Sequence, residues 1–140
     1  MEAQAGTTPS PSKRSIAADS FFLGLYETAL DEGEIITAVS FPVPEKAAYV
    51  KFKNSASRFA LVGVFVSNGS QGVRVAVTGA GSCVFRATAL ETALAASWTA
   101  AACNAVKMNA DKLNGDLHAS AEYRAHLIPV IDGRAAAAAK

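Results

Sequence analysis

The stretch Phe59-Ala-Leu-Val-Gly-Val-Phe-Val-Ser-Asn-Gly-Ser-Gln-Gly-Val-Arg-Val-Ala-Val-Thr78 decides the fold of this 140-residue chain. Residues 59–66 are apolar on both faces of a strand, because their alternate positions are all occupied by apolar side chains or glycine. Residues 73–78 alternate valine with Arg, Ala and Thr, as in a strand with one buried face. Between them, Asn68-Gly69 is a hairpin signal, because both residue types tolerate positive φ. The stretch therefore predicts two antiparallel strands joined by a tight turn.

Two further strands are predicted before this hairpin. Residues 35–41 alternate Ile, Thr, Val and Phe with Ile, Ala and Ser, and Pro42 ends the run because proline donates no ladder hydrogen bond. Residues 49–53 place Val50 and Phe52 on one face of a strand. The opposite face of that strand carries a tyrosine and two lysines: Tyr49, Lys51 and Lys53.

Helical periodicity replaces strand alternation after the fourth strand. Residues 87–96 are rich in Ala and Leu and predict a helix. Thr99 is a suitable N-cap for a second helix through Val106. A third helix is predicted over residues 119–131, with Pro129 close to its end. Strands followed by helices indicate the α+β class, with an antiparallel sheet of three to four strands and a C-terminal group of about three helices on one face.

The predicted sheet has more apolar surface than its own helices can cover. Val62, Val64 and Val66 lie on one face of the third strand, whereas Phe59, Leu61 and Phe65 lie on the other. Three short helices cover one face only, and soluble monomers rarely expose apolar patches above a few hundred Å². We therefore expect the second face to be covered by another domain, a partner subunit or a second copy of the chain.

Composition bounds the domain organisation and the class of partner. Residues 1–18 are small and polar with two prolines, which predicts a flexible tail or linker before a domain over residues 19–135 and a short tail at 136–140. Hydrophobic residues make up 51% and charged residues 18%, which excludes a disordered chain. A net charge of +1 gives no electrostatic basis for nonspecific nucleic-acid binding. With no apolar run near the ~20 residues of a membrane span and no visible secretory signal, a cytoplasmic location is expected.

Cysteine and histidine positions give no support for a metal centre. Cys83 and Cys103 are too few to hold an iron–sulfur cluster alone, and we expect both to be buried thiols. His118, Glu122 and His126 share a face if their segment is helical. Two histidines eight residues apart on a helix are separated by ~12 Å of rise, which is too far for one zinc ion. The spacing predicts a polar helix stripe and no bound metal.

Two features could contact a cofactor, and each also has a purely structural interpretation. Gly79-Ala-Gly81 follows a strand and precedes a helix, as a dinucleotide fingerprint does, but Val84 stands where the third glycine belongs. The loop is therefore either a tight turn or a phosphate-binding loop. Lys51 and Lys53 share a strand face, which is either solvated or in contact with an anionic or electron-rich group. No nucleophile is paired with a base by spacing, so the residues alone indicate a docking domain without a complete active site.

Five runs of sequence carry a family resemblance. The opening run contains Phe-Phe-x-Gly and then Glu-x-Ala-Leu-x-x-Gly-Glu-Ile-Ile, and the last contains His-Ala-Ser-Ala-Glu-Tyr-Arg. The runs are Asp19–Pro44, Ala48–Asn54, Arg58–Val64, Val73–Gly81 and Leu113–Leu127. They resemble the C-terminal domain of the FAD-binding medium subunit of molybdenum hydroxylases, in the carbon monoxide dehydrogenase and xanthine dehydrogenase family, over about residues 14–135.

The resemblance implies a part of a flavin-dependent oxidoreductase complex. In such enzymes a large subunit carries the molybdenum cofactor, a small subunit carries two [2Fe–2S] clusters, and the medium subunit passes electrons through FAD to an acceptor. The implied partners are these two subunits and an N-terminal FAD-binding domain, whose glycine-rich loops grip the pyrophosphate. No segment here resembles those loops, so we expect this chain alone to bind FAD weakly or not at all.

The resemblance also assigns two residues by position. Ile36, on the predicted first strand, would touch the flavin region, and Lys53 would be the basic residue near the flavin ring. The implied function is docking and completion of the flavin pocket, in support of electron transfer. The alternative is a stand-alone interaction domain that forms a homodimer through its uncovered sheet face and binds no flavin.

Overall fold

The three strands predicted between residues 49 and 78 form three strands of a four-stranded antiparallel sheet. The computed structural model describes residues 12–140, so residues 1–11 of the predicted tail lie outside the described part. The predicted α+β class is confirmed. In chain order, the elements after a 3₁₀ turn at Ala18–Ser20 are β1 (Phe22–Gly24), β2 (Glu27–Thr28), β3 (Lys46–Lys53), β4 (Ala60–Asn68), β5 (Arg74–Thr78), β6 (Phe85–Arg86), α1 (Thr88–Ala96), α2 (Ala100–Asn104) and α3 (Ala121–Ala138).

The core lies between one face of the sheet and the helices. The sheet order is β3-β4-β5-β6, and the register places Val64 of β4 between Val50 of β3 and Val77 of β5. The valines of β4 and β5 on this face are fully buried, together with Ile128 and Ile131 of α3. α3 packs on β3 and β4, α1 packs on β5, and α2 packs on α3. The helices therefore cover a single face of the sheet, as predicted.

The β4–β5 hairpin is confirmed, but its turn differs from the predicted one. Asn68 still belongs to β4, where it pairs with Lys46. The connection spans residues 69–73, and its left-handed residue is Gly72, with φ of 78°. The Gly72 amide donates to the Gly69 carbonyl at 2.8 Å. A longer loop forms because pairing with β3 keeps Asn68 in the ladder.

The predicted helices are present, and the third is longer than expected. Thr99 caps α2, because its Oγ1 accepts a hydrogen bond from the Ala102 amide at 3.2 Å. The prediction that Pro129 lies close to the end of the third helix is wrong, because α3 continues to Ala138. Proline lacks one amide donor, but burial of the residues on both sides of it against the sheet holds the helix in place.

The prediction of a strand at residues 35–41 is wrong, because this segment pairs with no described strand. The segment has no strand assignment, and residues 35–43 make no backbone hydrogen bond to any other described residue. Its large side chains are exposed, with Ile35 at 79% and Val39 at 74%. Alternation of apolar residues specifies which side chains share a face of an extended chain, but a strand also needs a partner edge. Here β4 already pairs with one edge of β3, and no described strand pairs with residues 35–43.

Residues 12–34 form a small unit beside the sheet. β1 and β2 pair with each other, and the residue before β2, Tyr26, has a left-handed φ of 58°. Arg14 donates to both carboxylate oxygens of Glu34, at 2.8 and 2.5 Å. That contact lowers the pKa of Glu34. Within residues 12–140, an ion pair between Asp19 and Arg86, at 3.4 Å, links this unit to β6.

Candidate functional site

Lys53 is the last residue of β3, and its side chain is exposed. The strand register shifts between Phe52 and Lys53, so the chain leaves the ladder at this residue. The loop that follows has a defined shape, because Asn54 Oδ1 accepts hydrogen bonds from the amides of Ala56 and Ser57, at 2.8 and 3.1 Å. Lys53 therefore projects from a fixed junction between strand and loop.

An open hollow of about 460 Å³ lies beside Lys53. The rings of Phe52 and Tyr123 pack edge to face, with their centroids 6.4 Å apart and their planes inclined at 79°. The hollow thus combines an aromatic wall, a lysine and a histidine in one open surface. Its lining residues are Phe52, Lys53, Asn54, Ser55, Ala56, Leu61, Leu117, His118 and Tyr123.

Arg124 of α3 connects three parts of the chain near the hollow through hydrogen bonds. Its side chain is only 3% exposed, and the guanidinium donates to three acceptors, the carbonyls of Leu61 (2.6 Å) and Gly79 (3.1 Å) and Asp116 Oδ2 (2.8 Å). The Asp116 carboxylate also accepts from the amides of His118 and Ala119, at 2.8 and 3.0 Å. These amide hydrogen bonds, and then the Arg124 charge, lower the pKa of Asp116.

The sheet face opposite the helices is uncovered within the described chain. Tyr49 of β3 and Phe65 of β4 are register partners, and they are 51% and 41% exposed. The Tyr49 hydroxyl lies over Gly63, where an added methyl group would collide with it. Lys51 is exposed on the same strand as Tyr49. The structure therefore confirms that the second sheet face is partly apolar and open.

Ile36, the second predicted contact residue, lies elsewhere. Its side chain is 56% exposed on the unpaired extended segment, and it is not among the residues that line the hollow at Lys53. The structure instead brings Tyr123 and His118 to Lys53. No local sequence pattern connects Lys53 with residues about 70 positions further along the chain. The only sequence signal for His118 and Tyr123 was that both lie in the closing run of the family resemblance.

The Gly79–Gly81 loop is a turn in the structure. Gly79 has φ of 76°, and an added methyl group would collide with the Ala60 carbonyl. β6 separates the loop from α1, so the loop does not open a helix as a phosphate-binding loop would. This loop therefore lacks the geometry of a site that binds a dinucleotide pyrophosphate.

The remaining cysteine and histidine predictions have mixed outcomes. Cys103 is fully buried, and burial raises the pKa of its thiol to about 12, whereas Cys83 is only half-buried. His118 precedes α3 and does not share the helix with Glu122 and His126, so the predicted helix stripe loses its first member. Among residues 12–140, no group of three His, Cys, Asp or Glu side chains is placed to hold a metal ion. Nor does that part of the chain contain a helix that is both long and apolar enough for a bilayer.

Comparison with known proteins gives similarity in structure alone. No protein-family model matches the sequence, and no curated protein matches it. Reconstituted CO dehydrogenase from Oligotropha carboxidovorans matches with a TM-score of 0.68 and 24% identity, over 87% of this chain and 47% of that chain. The cyanide-inactivated form of the Cu,Mo-CO dehydrogenase matches with a TM-score of 0.66, the same identity and the same coverage.

The chain has the fold of about half of a CO dehydrogenase chain. At 24% identity this similarity establishes the shared architecture of sheet and helices. The chain spans about half the length of these CO dehydrogenase chains.

Proposed function

We propose that this chain is the C-terminal docking and flavin-pocket-completing domain of the FAD subunit of a molybdenum hydroxylase, of the aerobic carbon monoxide, aldehyde or xanthine dehydrogenase type. Its role is to support electron transfer from iron–sulfur clusters to FAD and an acceptor. The observation that carries the proposal is the fold shared with about half of a CO dehydrogenase chain. The family resemblance of the sequence supports the same assignment.

The uncovered sheet face supports a docking role. Tyr49 and Phe65 on that face are half-exposed, and the extended segment at residues 35–43 exposes further apolar side chains. Burial of apolar surface contributes roughly 25 cal/mol per Å², so contact with a second domain stabilises both partners. Interfaces between domains of one chain typically bury about 600–1,500 Å². We infer that the N-terminal FAD-binding domain is the partner, with the iron–sulfur and molybdenum subunits beyond it.

The residues at the hollow fit the edge of a flavin ring but not a whole FAD molecule. Phe52 and Tyr123 supply aromatic surface, Lys53 supplies a positive charge, and Ile36 offers an exposed apolar side chain on the separate segment. The Gly79 loop cannot hold the pyrophosphate, because the Ala60 backbone occupies the space beside it. FAD would therefore be gripped mainly by the partner domain, and this chain would contact the ring side.

Lys53 would act through its charge. FAD, when bound, supplies the chemistry of electron exchange, and a flavin ring gains negative charge on reduction. A cation near the ring stabilises that charge and so tunes the cofactor. At 4 Å two opposite charges attract by about 1 kcal/mol in water but about 4 kcal/mol at the effective dielectric of a protein surface. The exposed Lys53 ammonium therefore becomes effective only when docking excludes water from it.

Reconstitution with a flavin domain in trans tests the proposal. We expect this chain alone to retain little FAD, and we expect the mixture with an FAD-binding domain of this enzyme type to retain it. In the reconstituted complex, Lys53→Ala should lower the flavin midpoint potential, whereas Lys112→Ala, a change of another exposed lysine, should not. Retention of FAD by this chain without the added domain would contradict the docking role. Equal potentials in the two variants would contradict the role of Lys53.

The alternative function is self-association, and the open apolar face is the observation that favours it. A second copy could cover Tyr49 and Phe65 in the same way as a flavin domain. Sedimentation equilibrium separates the two functions. Self-association predicts a dimer at micromolar concentration that persists when the flavin domain is added, whereas docking predicts a mixed complex of one copy of each.

A further inference from the structure

Asp132 is a fully buried carboxyl group that lies away from the hollow at Lys53. It belongs to α3 and is 0% exposed. Neither of its carboxylate oxygens accepts a hydrogen bond from any other described residue. An unpaired charge in such a position is unfavourable, so a buried carboxyl group without partners favours its neutral, protonated form.

Cys103 of α2 accompanies Asp132 inside the protein. The thiol is 0% exposed, and its Sγ donates to the Thr99 carbonyl at 3.4 Å. Burial raises the pKa of Asp132 to about 6, and the Cys103 thiol, a weak donor, partly opposes this rise. Cys103 on α2 and Asp132 on α3 are thus both fully buried on two helices that pack against each other.

The contact between α2 and α3 is close beside Asp132. An added methyl group at Gly133, next to Asp132, would lie 3.2 Å from the Ala100 Cα atom. One helical turn further along α3, the Ala136 carbonyl accepts a hydrogen bond from Trp98 Nε1 at 2.9 Å. A carboxylate at this contact cannot be hydrated unless α2 moves away from α3.

No described cation is in place to neutralise the Asp132 carboxylate. α3 packs against β3, β4 and α2. β4 and most of β3 contribute apolar side chains to the core beside it, and Lys46 of β3 is held over the Trp98 ring, with Nζ 3.9 Å from the centroid. On α3 itself, Arg124 is engaged with Asp116, and Arg134 is exposed. Burial and the Cys103 thiol alone shift the ionisation of Asp132.

We propose that Asp132 and Cys103 form a pH-dependent latch between α2 and α3, closed while the carboxyl group is protonated and opened by its ionisation. Opening lets water reach the carboxylate and exposes the Cys103 thiol. The latch lies under the helices, on the side of the sheet away from the open face, so it does not depend on the proposed flavin contact.

The expected size of the effect follows from proton linkage. Burial raises the pKa of Asp132 to about 6 in the closed state, whereas a hydrated carboxyl group keeps its ordinary pKa of about 3.9. The open population should therefore rise about tenfold between about pH 5 and about pH 8. This rise is the quantity that the experiment measures.

Thiol labelling of the full chain tests the latch. Cys83→Ser leaves Cys103 as the only thiol, and 4,4′-dithiodipyridine is used because it reacts with thiols even at mildly acidic pH. Rates are divided by those of the same protein in urea, and circular dichroism confirms that the chain stays folded. We expect the corrected rate to rise about tenfold over this range, to stay flat in Asp132→Asn, and to rise as before in Glu122→Gln, an exposed carboxyl change on the same helix.

Two results would overturn the latch. One is a corrected labelling rate of Cys103 that does not change with pH in the Cys83→Ser protein. This result can be interpreted without a second substitution. The other is a rise in Asp132→Asn equal to that in the parent, because the pH dependence would then have another origin.

Discussion

Replacement of Arg124 by methionine should destabilise the domain more than any other arginine change, because three acceptors depend on this one guanidinium. The Leu61 and Gly79 carbonyls and the Asp116 carboxylate all accept from it, and it is almost fully buried. A hydrogen bond contributes about 1 kcal/mol net, and an acceptor left unsatisfied costs about 1–3 kcal/mol. The expected loss is about 3 kcal/mol, or roughly 10 °C in Tm for a domain of this size.

Arg134 provides the matched control on the same helix. Its side chain is exposed and makes no hydrogen bond to another residue within 12–140, so Arg134→Met should change the free energy of unfolding by less than about 0.5 kcal/mol. Arg124→Lys should lose an intermediate amount, because an ammonium group keeps the charge but not the fork of donors. Urea unfolding followed by Trp98 fluorescence gives all three values. Equal losses in Arg124→Met and Arg134→Met would refute the view that Arg124 ties α3 to β4 and to the turn that follows β5.

Three further changes test local features of the fold. Gly79→Ala should cost more than about 2 kcal/mol in urea unfolding, because its φ of 76° is strained for alanine and the methyl group meets the Ala60 carbonyl; Gly33→Ala, at a φ of 81° with open space around it, should cost less. Thr99→Ala should cost about 1 kcal/mol through loss of the α2 cap, measured in the same way. Asp132→Asn should change the pH dependence of stability. Because folding raises the pKa of Asp132 to about 6, the native protein is most stable below about pH 4 with respect to this group and loses up to about 3 kcal/mol as pH rises through 6. The asparagine variant should not show this loss, and a parallel pH profile in both proteins would contradict the assignment.

Three strands of the sheet and the first two helices could be predicted because their signals are local. Alternation over residues 49–53 and 73–78 matches β3 and β5 closely, and Thr99 supplied the cap expected at the start of α2. These features depend on neighbours in the sequence, so periodicity and capping preferences are sufficient to locate them.

Features that depend on distant contacts were not predicted correctly. Residues 35–41 have the alternation of a strand, yet strand formation requires an available edge, which the sequence does not specify. The helix passes through Pro129 because tertiary burial outweighs one missing hydrogen bond. The arrangement of Tyr123 and His118 beside Lys53, with Arg124 beneath, joins residues about 70 positions apart and carries no local pattern.

Hydrogen–deuterium exchange on mixing with an FAD-binding domain addresses the docking surface itself. If this chain completes a flavin subunit, amides of residues 35–43 and of β3 should exchange more slowly in the mixture, because the partner covers the segment and the sheet face that are open in the chain alone. Amides of α2, on the other side of the domain, should exchange at unchanged rates. Unchanged exchange at residues 35–43 and β3, in a mixture that retains FAD, would contradict the proposed docking surface.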